Sequence, residues 1–147
     1  MGLQLFYGAI VSLVNFGIHA VVTAFIVVAT SHTARATGDK STFVRISSLL
    51  FVTMVALMCA HVVEITVWAI HYNWVGLVVK NASNFEFAFE NYTALGYGDA
   101  TPAEQWRLTG PITALNGLLL IGWSVAVIFE VMKMAELQFD RGRKSRR

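Results

Sequence analysis

Three long apolar runs, at roughly residues 3–30, 46–72 and 112–134, are separated by polar stretches. Each exceeds the ~20 residues that a helix needs to cross a hydrocarbon core. The pattern predicts an all-α membrane protein with three transmembrane helices. The first run has no basic leading segment and is too long for the apolar core of a signal peptide, so it reads as a retained span. A shorter element lies between the second and third runs. Ser83-Asn84-Phe85-Glu86 has the form of a capping box, with Ser83 as N-cap and Glu86 three residues on. It predicts a short helix over 84–93. Against it, the alternation Phe85, Phe87, Phe89 is the period of a strand.

Composition supports the membrane reading. Hydrophobic residues make up 56% of the 147, and the mean hydropathy is +0.59, too high for a typical soluble domain. The formal net charge of +2 conceals a segregated arrangement. Arg35, Lys40 and Arg45 fall in the stretch 31–45 against Asp39 alone. Arg141, Arg143, Lys144, Arg146 and Arg147 crowd the tail, 135–147. By the positive-inside rule both stretches are cytoplasmic, which three spans allow if the N-terminus lies outside. The segment between the second and third spans then faces outward, and it holds Glu86, Glu90, Asp99 and Glu104 against Lys80 and Arg107. Trp74 and Lys80 suit the outer interface. Asn81-Ala82-Ser83 and Asn91-Tyr92-Thr93 match the glycosylation sequon. Cys59 is the one cysteine, so neither an intrachain disulfide nor a cysteine-based metal framework is available.

Polar residues inside the spans are candidates for chemistry. Ser12, Asn15, His19 and Thr23 share one face of the first span. The plainer reading is a helix–helix contact, in which polar side chains bond to neighbours; the other is a site built on His19. In the second span His61 and Glu64 stand at i and i+3, with His71 beyond. An ionisable residue within a span is a functional candidate by default. Glu64 either bonds His61 or a neighbouring helix and fixes packing, or the pair serves in pH sensing or gating. Two ligands on one helix are a weak metal signal without partners elsewhere, and no transition-metal site is predicted.

The segment Ala94-Leu95-Gly96-Tyr97-Gly98-Asp99 is too short to cross a membrane, and two of its residues are glycines. Glycine accepts positive φ at little cost, so successive carbonyls can turn toward one side. The segment resembles the selectivity filter of potassium channels, usually Thr-Val-Gly-Tyr-Gly-Asp, the case by which carbonyl-based ion selectivity is generally illustrated. Its place, after a short capped aromatic helix and before a long apolar one, strengthens the match. The chain thus resembles the single-pore-loop channels of the prokaryotic pore-domain type, with one extra N-terminal transmembrane helix. The resemblance covers roughly 46–134 and decides for a helix over the phenylalanines. It implies an outer helix 46–72, a re-entrant pore helix 84–93, a filter loop 94–99 and an inner helix 111–134. Residues 1–30 are then the added span, 31–45 a cytoplasmic loop and 135–147 a basic cytoplasmic tail.

What the resemblance implies about function is equally specific. Ala94, Leu95, Gly96, Tyr97 and Gly98 are expected to bind K+ through their backbone oxygens, with the side chains of Leu95 and Tyr97 turned away and packed behind the filter. Glu90, Thr93 and Asp99 are expected to support it, with Glu90 and Asp99 as a carboxyl pair sharing a proton. Ala94 departs from the family's threonine, which weakens the innermost ion site. Glu86 and Phe87 stand where several members carry a tryptophan pair. Pro102 and Trp106 stand where related channels often have a proline and an aromatic. Gly110-Pro111 opens the last helix, with the proline suited to its first turn. Leu115, Leu119, Gly122, Ala126 and Glu130 share one face of it, assigned to the cavity and inner gate. Gly117 or Gly122 is either a hinge or a close-packing position.

One chain supplies one strand of carbonyls, and no second pore motif or internal repeat occurs. The expected partners are therefore three further copies of the chain, in a symmetric homotetramer, and membrane lipids, with anionic lipid at the basic tail. Nucleic acid is not an expected partner. The expected cofactor list is empty, K+ being the transported ion. The expected location is the plasma or inner membrane. The spans show no arginine-every-third-residue pattern, which argues against a voltage sensor of the usual kind. The tail is too short for a cytoplasmic ligand-binding domain. No phosphate-cradling loop, zinc spacing or nucleophile–base motif appears, so an enzyme is not expected. Three other readings stand beside a potassium channel. They are a weakly selective cation channel, a membrane metal or redox protein using His19, His61 and His71, and a non-conducting helper subunit.

Overall fold

The computed structural model describes residues 1–36, 42–77, 83–97 and 102–144; for 31–36, 42 and 138–144 the description is of the backbone. The chain forms α1 (Gly2–Ala36), α2 (Thr42–Val75), α3 (Asn84–Tyr92), a single 3₁₀ turn (Glu104–Trp106) and α4 (Thr109–Lys144). Among the described residues there is no strand. Three segments, Gly2–Thr30, Phe43–Val75 and Glu104–Leu137, are long and apolar enough to cross a membrane. The protein is an all-helical membrane protein with three spans. Helical backbone continues beyond the apolar runs to Ala36, from Thr42 and out to Lys144. Propagating a formed helix adds one hydrogen bond per residue fixed, so polar residues outside the apolar zone can extend it.

The nine-residue α3 is far too short to cross. Its start follows the cap: Ser83 has extended backbone, and its Oγ accepts the Glu86 N–H at 3.0 Å. The alternating phenylalanines resolve accordingly. Phe87 is fully buried, while Phe85 and Phe89 are half-exposed and lie one turn apart with tilted rings, centroids 6.2 Å. On a helix these positions part between two faces.

α1 packs against both α2 and α4, and α3 wedges between α2 and α4. The core has two parts. One joins Ile65, Trp68, Ala69, Tyr72 and Leu77 of the α2 end to Phe87, Ala88 and Tyr92 of α3 and Leu120 of α4. The other joins Ile26, Leu49, Leu57, Val127 and Val131 at the opposite end of the bundle. Large apolar side chains such as Phe25, Phe51, Ile70 and Phe129 remain exposed on the single chain, as expected where lipid or another copy supplies the contact.

α2 and α3 end in the same way. The Leu77 N–H donates to the Tyr72 carbonyl at 3.0 Å and the Gly76 N–H to Asn73 at 3.3 Å. This is the Schellman pattern, with its left-handed residue at Gly76, φ 61°. Replacing the N-cap of α3, Ser83→Ala, is expected to lower the stability of the purified protein by about 1 kcal/mol. The denaturation midpoint in detergent measures it, and Ser83→Asp should retain most of the stability.

Candidate functional site

The filter segment begins where α3 stops. The Leu95 N–H donates to the Glu90 carbonyl and the Ala94 N–H to Asn91, each at 2.9 Å. The left-handed position is here Ala94, φ 57°, a non-glycine residue in that region. Such a conformation costs roughly 1–2 kcal/mol for an L-residue with a Cβ, and a β-branched residue there is an outlier. The family's threonine would be strained at this point, whereas alanine is the smallest side chain short of glycine. Gly96 follows at φ 116°. The Thr93 hydroxyl donates back to Phe89 (2.9 Å) and Glu90 (3.3 Å) carbonyls, tightening the last turn.

Tyr97 is anchored by its own chain. Its ring lies against Phe87, centroids 5.4 Å, and its hydroxyl donates to the Arg107 carbonyl at 3.3 Å. Burial raises the hydroxyl's pKa, with Arg107 opposing, so it remains a protonated donor. A Cβ on Gly110 would stand 2.6 Å from this ring. Leu95 is 80% exposed on the single chain, with no cover from its own subunit. Gly98 and Asp99 lie outside the described residues, and with them the expected Glu90–Asp99 pair.

α4 presents two faces. Thr113, Asn116, Leu120, Ser124, Val127 and Val131 form the buried one. Leu115, Leu119, Gly122, Ala126 and Glu130 form a face that the chain's own packing leaves exposed. The two glycines separate in role. A Cβ on Gly117 would meet the Tyr92 carbonyl oxygen at 2.0 Å, while one on Gly122 meets nothing. Gly117 is therefore a close-packing position at which α4 touches the end of α3.

At the end of α3 lies a polar cluster drawn from α1, α2, α3 and α4. Glu64 of α2 is fully buried. Its Oε1 lies 2.8 Å from His19 Nδ1 of α1, and its Oε2 lies 3.0 Å from His61 Nδ1. Oε2 also accepts the hydroxyl of Tyr92, the last residue of α3. Ser124 of α4 closes the circuit, its Oγ 2.9 Å from His61 Nε2 and 3.3 Å from His19 Nε2. Beside it, Asn15 Nδ2 donates to the Glu64 carbonyl (3.2 Å) and to Asn116 Oδ1 (3.1 Å), which also accepts from Trp68 Nε1 (2.9 Å). Ligand-type atoms of His19, His61 and Glu64 all lie within 4.8 Å of one another.

The plainer reading of the first span holds, since Asn15 and His19 do bond across to neighbouring helices. The same contact also completes a site, because His19 meets the His61–Glu64 pair. His71 is not part of it. It is buried among Tyr7, Trp68, Tyr72 and Trp106, so a set of His19, His61 and His71 does not assemble. Sequence reasoning passed over Tyr92, Asn116 and Ser124. Their signal was polarity within α4 at a spacing of eight and a tyrosine at the end of α3.

Two substitutions test this geometry. Ala94→Gly is expected to stabilise the protein by roughly 1 kcal/mol and Ala94→Thr to destabilise it, by thermal unfolding. Gly117→Ala is expected to force α4 from the Tyr92 carbonyl and lower the unfolding temperature far more than Gly122→Ala.

The comparisons with known proteins bear on the same stretch. No curated protein and no solved structure matches the chain. The family model described as Ion channel matches residues 58–134, from the middle of α2 through α3, the filter segment and most of α4. Conduction by such a protein needs no cofactor. That match covers more than half of the chain, and on it the chain belongs to the ion channel family.

Proposed function

We propose that four copies of this chain surround an axis and conduct K+ passively and selectively through carbonyl rings of residues 94–98. The reading rests on one observation: Ala94-Leu95-Gly96-Tyr97-Gly98-Asp99 leaves directly from the C-terminal end of α3. That helix end carries partial negative charge, which favours a cation nearby. A potassium ion entering an apolar medium forfeits hydration worth roughly tens of kcal/mol. One carbonyl per level is too little to replace it, and four identical strands supply a full ring.

Two features of the single chain favour assembly. Leu95 has no cover from its own subunit, and a neighbouring copy can supply it. The exposed face of α4, from Leu115 to Glu130, is free to line a cavity below the filter. In this arrangement Glu90 and Asp99 share a proton beside the filter. The N-terminus lies outside and the C-terminus in the cytoplasm of a plasma or inner membrane, with the basic tail against anionic lipid. His61 and Glu64 serve as sensing residues through Tyr92, which joins Glu64 to the end of α3.

A second reading, a weakly selective cation channel, is favoured by Ala94. It offers a carbonyl but no hydroxyl to the innermost ion site. Flux from proteoliposomes separates the two. A clear preference for K+ over Na+ is expected, because the rings of residues 95–98 are those of the family; a permeability ratio near one overturns K+ selectivity. Glu90→Ala is expected to change filter inactivation and its pH dependence in single-channel recordings.

A further inference from the structure

The cluster around Glu64 is more than packing requires. A carboxylate in the middle of a span is costly unless it is paired and hydrogen-bonded. Among the described residues its ionic partners are two imidazoles, and no lysine or arginine reaches it. Two lone histidines on different helices, both aimed at one carboxylate, form a convergent set of nitrogen and oxygen donors. On α2 alone, His61 and Glu64 were too few ligands to point to a metal. The packing of α1 supplies the third.

We propose that His19, His61 and Glu64 form a binding site for a divalent transition-metal ion of the zinc class, held where α1, α2, α3 and α4 meet. The donors are Nδ1 of each imidazole and a carboxylate oxygen. Two imidazoles with one carboxylate suit zinc or cobalt, whereas magnesium and calcium take oxygen ligands. Ser124 sets the tautomers. Its Oγ faces Nε2 of both rings, at 2.9 and 3.3 Å. With an ion bound, it can accept from both Nε2–H groups and leave both Nδ1 lone pairs to the ion. Orientation of ligating histidines through their second nitrogen is the usual device at such sites.

Tyr92, whose hydroxyl already bonds Glu64, stands at the fourth position, directly or through a water. Zinc–nitrogen and zinc–oxygen bonds of about 2.0–2.2 Å fit donors gathered this closely after a small separation of the rings. The dication would bring a positive charge directly to the buried Glu64 carboxylate. His61 keeps 17% of its side chain exposed, which leaves an approach for the ion. Because the site joins α1 to Tyr92 at the foot of the filter segment, the added span would be tied to the pore through a coordinated ion.

The test uses the full-length protein, supplied with Zn2+ during expression or with Co2+ after purification, then passed over a desalting column. Elemental analysis is expected to find one ion per chain, and the Co2+ form to show the visible absorption of a tetrahedral nitrogen–oxygen site. Zinc X-ray absorption of the unaltered protein is expected to show two imidazole ligands, a readout that does not depend on any variant folding. His19→Gln and His61→Gln should abolish retention, and Ser124→Ala should weaken it by about 10–100-fold. Failure to retain ion under both loading conditions overturns the proposal, leaving the cluster as a proton-bearing network. So does X-ray absorption without imidazole, or retention unchanged in the histidine variants.

Discussion

A buried carboxylate dictates much of what surrounds it in this bundle. Glu64 sits in the second span with none of its side chain exposed, where water cannot solvate it and lipid will not. Its stability there depends on hydrogen-bond partners brought by three of the helices. His19 comes from α1, His61 from α2 itself and Tyr92 from α3. Ser124 of α4 links the two imidazoles from behind. Removing His19 would leave Oε1 without a partner, and removing Ser124 would do the same to both Nε2 atoms, in a low-dielectric interior where that costs more than the bond itself contributes. The helices are therefore positioned by a shared polar centre as well as by apolar packing above and below it.

Tyr92 connects that centre to the candidate ion path. Its hydroxyl bonds Glu64, its carbonyl rests against Gly117, and two residues later the backbone turns left-handed at Ala94. The end of α3 is thus held from two sides, by α2 through a hydrogen bond and by α4 through backbone contact. The filter segment that follows starts from a fixed point. Tyr97, packed on Phe87 and Gly110, fixes a second one. What remains loose in a single chain is Leu95 between them, whose side chain waits for cover from outside the subunit.

The first helix finds its explanation in the same contacts. Gln4 receives the Leu108 N–H at 2.9 Å and donates to the Gln105 carbonyl, bracing the turn before α4. Asn15 reaches α2 and α4 together, and His19 completes the cluster. α1 docks through polar side chains on one face, as membrane helices do where apolar burial gives little preference between a neighbour and lipid. A family match that starts at residue 58 leaves this helix out, yet it carries one of the three donors at Glu64.

Length and local order were legible in the amino-acid sequence. Three apolar runs fix the number of spans because hydrocarbon thickness sets a minimum helix length. Ser83 and Glu86 announce the start of α3 because an N-cap is a contact within four residues. The filter motif points to the ion channel family because its glycines and its position form a local pattern. Tertiary structure alone decided the rest. Periodicity shows that Asn15 and His19 share a face, but not that the face meets Glu64, 45 residues away. Gly117 reads equally as hinge or contact until Tyr92 is placed against it. Ala94 departs from the family's threonine for no visible reason until its backbone proves left-handed. In each case the deciding neighbour is distant along the chain, and helical spacing carries no information about which faces will meet.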